Sequence, residues 1–306
     1  MTPRPIEAIY LLTHKYYLRL TRICVASIRY WYPDIPVYLI KDKVAGDFST
    51  TEIEQAWNVR VFDTPTTSFG WGFAHLEPML LAGGQRALII DVDIAFAGPV
   101  LEVLDRHDAD MIVQREDQPE NPPERFNGLY FSLEKIRSYD PEFVFPRYSF
   151  NAGQLVVTTG VFKRSDFDGL ISWTMPRTTV MPEIFGRGDQ GVLNYVTMKK
   201  EKRGELTLAR IPFMVWNPDE MKKFELSKIT PDSPYRELIH WAGLRMPHMR
   251  DMPRADILFK FEDLYYSRVP RGKARLASRI VMGRVMNLIN KAKSRLRGGY
   301  PILYLT

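Results

Sequence analysis

The chain has 306 residues, 45% of them hydrophobic and 25% charged, with a formal net charge of +6 and a single cysteine, Cys24. That is ample apolar material for one large core, and one cysteine excludes an internal disulfide or a multi-cysteine zinc site. The charge is uneven: ten of the 42 basic residues, and none of the 36 acidic ones, follow Asp263, so the body is mildly acidic and the tail strongly basic.

In chain order, Ala8–Leu12 reads as a strand and Tyr17–Trp31 as a helix whose apolar face is Leu20, Ile23, Cys24, Ser27 and Ile28. Tyr32-Pro33-Asp34 ends it, and Pro36–Ile40 is a second strand. This order predicts a right-handed βαβ unit and a parallel sheet. Thr51–Trp57 is a short helix, Val59–Asp63 a third strand, Phe69–Phe73 a loop and Leu76–Leu81 a helix. Arg86–Ile90 is a buried strand that runs into Asp91-Val92-Asp93, bounded by Gly83-Gly84 and Gly98-Pro99. A helix at Val100–Leu104, a strand at Asp110–Val113 and a proline-rich loop at Gln118–Pro123 follow. Phe150–Thr158 is a strand, Gly191–Met198 a helix behind Gly188-Asp189-Gln190, and Leu206–Ile211 a strand. Leu238–Gly243 is a late strand that stops on His240. The pattern is α/β, alternating early and more irregular after residue 115.

No uninterrupted apolar run reaches the ~18 residues a membrane span needs, and residues 1–7 lack the apolar core and cleavage site of a signal peptide. A reducing cytosol is the expected compartment, with Cys24 a small buried residue.

Two aspartates one residue apart at the end of a buried strand lie where ligands bind in open α/β sheets. Paired carboxylates suit a hard divalent cation, Mn²⁺ or Mg²⁺; the alternative is a strand ending in a solvated turn. Asn151, Asp189-Gln190 and His240 are polar residues at the edges of apolar runs. His240 is either a third metal ligand or a hydrogen-bonded structural histidine, Asn151 a site or turn residue, and Asp189 a site residue or helix cap.

The ordered set decides how these are weighed. An N-terminal βαβ region, apolar-Asp-x-Asp at 91–93, Phe-Asn-Ala-Gly at 150–153, Asp189-Gln190 with Asn194, and apolar-His240-x-x-Gly243 together resemble the retaining glycosyltransferases of family 8, over residues 6–250. Ala74-His75-Leu76 falls where that family carries a basic residue and leucine. The resemblance implies a GT-A fold, Rossmann-like, with a mixed, mostly parallel sheet flanked by helices, here residues 1–266. It implies transfer of a hexose or N-acetylhexosamine from a nucleotide sugar, UDP-linked, to a saccharide or glycolipid. Asp91 and Asp93 would, with His240, hold Mn²⁺ or Mg²⁺ on the donor diphosphate, and Asp91 would also touch the ribose. Thr13 falls at the nucleotide base, and Asn151 and Gly153 near the donor sugar. Asp189 would bind sugar hydroxyls, Gln190 would lie near the anomeric carbon, and Gly243 would let backbone approach the phosphates. Two departures stand out. Met246-Pro247-His248 replaces a lysine, proline and tryptophan, leaving Arg245 or Arg250 for the lysine's phosphate contact, and His75 replaces a permanently charged residue.

Residues 267–306 form a separate tail. Ala277, Val281, Val285, Leu288, Ala292 and Leu296 recur at helical steps, widened by Ile280 and Ile289, with Arg275, Arg279, Arg284, Lys291 and Arg295 on the remainder. This predicts a basic amphipathic helix at Lys273–Leu296, suited to an anionic membrane surface, and hence peripheral attachment at the inner face of the membrane. Packing on the body is the alternative. A nucleic-acid arm is disfavoured by the acidic body. Two other functions compete. A sugar nucleotidyltransferase would need a glycine-rich phosphate loop, which Thr13-His14-Lys15-Tyr16 is not. A degenerate, non-catalytic membrane-docking scaffold is the other.

Overall fold

The computed structural model describes residues 4–64, 66–70, 72–243, 246, 248–297 and 304–305, with the side chains of 294–297 excepted. Its centre is a seven-stranded sheet built from β1 (Ala8–His14), β2 (Val37–Asp42), β3 (Arg60–Val61), β4 (Arg86–Asp91), β6 (Met111–Gln114), β7 (Gln154–Thr158) and β8 (Leu208–Ile211). The strand order is β8-β6-β7-β4-β1-β2-β3. Six strands run the same way, and β7 is antiparallel to both its neighbours, β4 and β6.

Alternation along each strand feeds two cores. Ile9, Leu11, Leu88, Ile90 and Val156 face one side. Ala8, Tyr10, Ala87, Ile89, Leu155 and Val157 face the other. A sheet buried on both faces needs strand interiors that are apolar, which is why Ala87–Ile90 of β4 reads as an unbroken apolar run. Helices α1 (Leu18–Trp31) and α5 (Ala255–Ser267) cover the first face, and α4 (Asp189–Lys202) the second. Two short helices, α2 (Thr51–Trp57) and α3 (Leu76–Met79), precede β4.

A second sheet positions His240. It contains β5 (Ile94–Phe96), β9 (Met214–Val215) and β10 (Leu238–His240). β10 runs parallel to β9 and antiparallel to β5, with His240 opposite Ile94. The Trp241 N–H donates to the Asp93 carbonyl at 2.9 Å. Two strand ends almost 150 residues apart in sequence thereby meet.

Several elements differ from expectation. The third strand shrinks to Arg60–Val61, because it is an exposed edge. The expected strand Phe150–Thr158 joins the ladder only from Gln154, because Asn151 turns the chain: its Oδ1 accepts the Gly153 N–H at 2.7 Å. The expected helix Gly191–Met198 opens earlier, at Asp189, and continues to Lys202. The late strand stops at His240. Helix α5 has no counterpart among the sequence expectations. Its stripe, Ile257, Leu258, Phe261 and Tyr265, includes the buried Glu262, which breaks the apolar pattern and is paired with Arg19 through two 2.7 Å contacts.

The tail helix, α6 (Gly272–Arg297), lies with one face on the body. Glu52 of α2 accepts Arg275 Nη1 at 2.7 Å and Arg279 Nη1 and Nη2 at 2.8 and 2.7 Å. Tyr304 returns to it, exchanging two hydrogen bonds with the Asn287 amide. On the other face Val281, Val285, Leu288 and Ile289 are exposed. Among the described residues, no helix is long and apolar enough to cross a membrane.

Candidate active site

At the carboxyl ends of β1, β2 and β4 the sheet opens into a cleft of about 600 Å³. Asp91 is the last residue of β4, and its N–H is held by the Gly153 carbonyl at 2.7 Å. Asp93 follows across Val92, which is buried, so the two carboxylates leave the chain on the same side. His240 ends β10 beside them. Its Nε2 lies 3.1 Å from Asp93 Oδ1 and 3.9 Å from Asp91 Oδ2. One ligand atom from each of the three falls within 4.8 Å of the others.

The donor set fits a divalent cation on three grounds. Two carboxylates and an imidazole are a set that Mn²⁺ accepts. The His240 ring is also oriented for it. Its Nδ1 lies 2.9 Å from Gln154 Oε1, an atom that can only accept, so Nδ1 carries a proton and Nε2 faces the carboxylates. The Gln154 amide is itself set by its Nε2, which donates to the Asn151 carbonyl at 3.4 Å. Finally, the space is kept open: a Cβ at Gly153 would fall 2.4 Å from Asp91 Oδ2 and 2.8 Å from His240 Cε1.

Gln154 is the residue that sequence reasoning missed. It is fully buried at the start of a strand whose next three residues are apolar, and that polar exception is the signal that marks it. Gln154→Leu should weaken Mn²⁺ affinity by about 10- to 100-fold, the usual effect of removing a partner that orients a metal-bound histidine. Calorimetric titration with Mn²⁺ in the presence of UDP reads this directly, and an unchanged affinity would remove Gln154 from the site.

His75, from the turn before α3, bridges the two halves of the cleft. Its Nε2 is 3.1 Å from Asp91 Oδ1 and its Nδ1 is 2.8 Å from Asp189 Oδ2. Burial alone would push this imidazole down, but the Asp91 and Asp189 carboxylates outweigh it and hold its pKa at about 10. At neutral pH His75 is therefore a cation, so the replacement of a permanently charged residue loses no charge. Burial likewise lowers His240, and Asp93 and Asp91 more than reverse it, so its pKa is raised.

The other expected site residues are placed as follows. Asp189 opens α4, is 5% exposed and lines the cleft with its carboxylate on His75. A Cβ at Gly72 would fall 2.4 Å from its Oδ1. Gln190 also lines the cleft, but both ends of its amide are engaged. Oε1 accepts the Ala152 N–H at 3.0 Å and Nε2 donates to the Leu129 carbonyl at 2.7 Å. Asn151 lines the cleft while its Oδ1 closes the turn. Asn194 is a clamp beneath: it exchanges hydrogen bonds with the Phe150 backbone at 2.9 and 2.8 Å.

Thr13 requires a correction. Its side chain is fully buried, with Oγ1 2.6 Å from Thr21 Oγ1 of α1. Alternation along β1 turns it away from the opening, and the cleft wall there is made by His14, Tyr16 and Tyr17. The His14 and Tyr17 rings lie 4.3 Å apart between centroids. Gly243 lines the cleft with φ +67°, and among the described residues no atom beyond its chain neighbours lies within 4 Å of where its Cβ would be. Within the chain itself its need for glycine is therefore backbone conformation. Arg245 lies outside the described residues. Met246 packs against the core, which accounts for an apolar residue in place of lysine. Arg250 lies on the surface beside Asp251, 3.7 Å from it, and does not line the cleft.

No family model and no curated protein matches the chain. Among solved structures it is similar to the bifunctional glycosyltransferase WbbM, at 14% identity and a TM-score of 0.54, over 87% of this chain and 52% of that one. It is also similar to the galactosyltransferase LgtC in complex with donor and acceptor sugar analogues, at 16% identity and a TM-score of 0.50, over 85% of this chain and 95% of that one. The chain thus spans about half the length of the first and nearly all of the second. At these identities the likeness is one of fold, and it is the GT-A fold: a mixed, mostly parallel sheet flanked by helices.

Proposed function

We propose that this chain is a metal-dependent glycosyltransferase. It moves a hexosyl or N-acetylhexosaminyl group from a UDP sugar to a saccharide or lipid-linked saccharide acceptor, with retention at the anomeric carbon. The observation that carries the proposal is the convergence of Asp91, Asp93 and His240 at the floor of the cleft. Mn²⁺ or Mg²⁺ held there would supply Lewis-acid stabilisation of the charge that grows on a departing diphosphate.

The chain's own residues do the positioning. His14, Tyr16 and Tyr17 offer aromatic faces to the nucleotide base in place of Thr13. Gly153 admits the donor beside Asp91. The His75 cation fixes Asp91 and Asp189 at the two ends of the donor sugar, leaving Asp189 to receive sugar hydroxyls. Gln190, tied to the backbone at Ala152 and Leu129, holds the wall by the anomeric carbon. Asp189 is engaged by His75 and is a poor covalent nucleophile. Retention then follows from attack by the acceptor hydroxyl on the face the diphosphate leaves. The bond from the anomeric carbon to the diphosphate oxygen breaks, the bond to the acceptor oxygen forms, and the diphosphate oxygen takes the acceptor's proton. Hydrolysis of a nucleotide-sugar panel with and without Mn²⁺ tests this. At least one UDP sugar should be turned over only with metal, and a panel that is silent throughout would sink the reading.

The tail carries a membrane proposal. Val281, Val285, Leu288 and Ile289 are exposed on α6, interleaved with Arg284, Lys291 and Lys293, an arrangement that suits an anionic cytosolic leaflet. Each cation near such a surface contributes about 1 kcal/mol. Flotation with phosphatidylserine vesicles should therefore recover the full chain and lose it on Val285→Glu with Leu288→Glu. Equal recovery of both would remove the claim.

A further inference from the structure

A second cavity lies where the body meets the tail, on the far side of Tyr16 from the cleft. It holds about 270 Å³, with α1 and α5 on one side and α6 with residues 304–305 on the other. That is just below the range of small-molecule sites, which starts at about 300 Å³. The space suits one small charged group and a short apolar stretch, and is too small for a nucleotide sugar.

Its polar end has more positive charge than its surroundings neutralise. Lys15, Arg19, Arg22 and Arg279 line it, together with the buried Glu262. Arg19 gives Nε and Nη2 to Glu262 at 2.7 Å each. Arg279 is taken by Glu52, which also receives Arg275 and lies 3.6 Å from Arg22 Nε. Two carboxylates thus serve four arginines, and Lys15 has no ion pair among the described residues. Arg19 Nη1 and Arg22 Nε are, moreover, buried without a hydrogen-bond partner among the described residues. A buried donor left unpaired is costly, and such groups call for an occupant. The rest of the lining is largely apolar and includes Leu276, Ile280, Met286 and Leu305.

We propose that this cavity binds an amphiphilic phosphate, with the phosphate on Arg19, Arg22 and Lys15 and the alkyl chain along Ile280, Met286 and Leu305. Guanidinium N–H groups match phosphate oxygens in geometry. A phosphomonoester near two negative charges balances the surplus better than a carboxylate with one. The site is composite, since the cations come mainly from α1 and the apolar wall from the tail. Occupancy therefore holds α6 to the body. The inference stands apart from the catalytic proposal. Tyr16 lines both cavities and carries the Tyr304 ring at 4.9 Å, so an aromatic pair separates the two sites.

The test is trypsin cleavage within residues 272–297 of the full chain, followed with three additives. These are decyl phosphate below its micellar concentration, inorganic phosphate and decyl maltoside. Decyl phosphate at tenfold excess over its Kd should slow cleavage about tenfold, and the other two should not. Lys15→Gln should weaken the protection, and Arg19→Gln combined with Glu262→Gln should remove it. Asp93→Asn should leave it intact, which separates this site from the cleft. If the double variant fails to fold, Lys15→Gln alone decides. Equal protection by inorganic phosphate would reduce the cavity to a simple anion site, and equal protection by decyl maltoside to a nonspecific apolar groove. Absence of protection, protection insensitive to both variants, or protection lost in Asp93→Asn would place no amphiphile here. Each of these results overturns the proposal.

Discussion

Asp93→Asn should abolish the metal dependence of UDP binding and lower sugar transfer by about 10²- to 10³-fold, which is what loss of one electrostatic partner of a transition state costs. Asp93 is a cleaner test than Asp91. The Asp91 carboxylate faces His75 with one oxygen and His240 with the other, so its neutralisation would mix loss of a ligand with loss of the His75 pair. Among the described residues the Asp93 side chain hydrogen-bonds to His240 only, at 3.1 Å, and its backbone carbonyl, which seats Trp241, is unaffected by the exchange. Asparagine keeps the shape and removes the charge a divalent cation needs. Calorimetry with UDP, with and without Mn²⁺, and single-turnover transfer would be measured on the same protein. If Asp93→Asn bound UDP with the metal dependence of the parent chain, the three residues would not be the metal site. A melting temperature unchanged to within a few degrees would show that the fold had survived.

Legibility followed chemistry that leaves a local mark. An apolar run ended by Asp91 and Asp93 is visible because the interior of a doubly buried strand, here Ala87–Ile90, is apolar on both faces. His240 is visible for the same reason at the end of β10. What brings them together is the antiparallel pairing of β10 with β5, a contact between segments far apart in sequence that no local pattern records. Thr13 was assigned one residue away from the wall. His14 and Thr13 are neighbours on a strand whose residues alternate faces, and a one-residue error exchanges buried for exposed. Gln154 was overlooked because a single polar residue at the start of a strand resembles the turn it follows. The buried Glu262 hid α5: its partner, Arg19, is 243 positions earlier, so in sequence it reads only as a break in the apolar stripe.

His75 gives the second large effect, and its sign follows from the charges around it. The His75 pKa is held at about 10 in the folded protein by Asp91 and Asp189 against the opposing effect of burial, compared with about 6.5 unfolded. Between those values the folded state binds more protons than the unfolded state, so stability must fall as pH rises. The contribution is complete below about pH 6.5 and is lost as pH approaches about 10. His75→Gln removes the cation and leaves the buried Asp189 carboxylate facing the partly exposed Asp91 carboxylate. Breaking such a pair costs on the order of 3 kcal/mol, so the variant should be least stable relative to the parent near pH 6 and should converge on it toward pH 10. Denaturant melts in EDTA across that range give the difference directly. The raised His240 changes stability in the same direction, and because the His75 cation opposes that shift, the variant keeps a His240 contribution at least as large as the parent's, which narrows the difference between the two profiles. Mn²⁺ should flatten the parent's slope, since a cation drawing on Asp91 competes for one of the two carboxylates that hold the His75 proton. Parallel stability profiles for the two proteins, with or without metal, would mean that His75 is not charged between the carboxylates. The cleft would then lack the fixed cation on which the orientation of Asp91 and Asp189 depends.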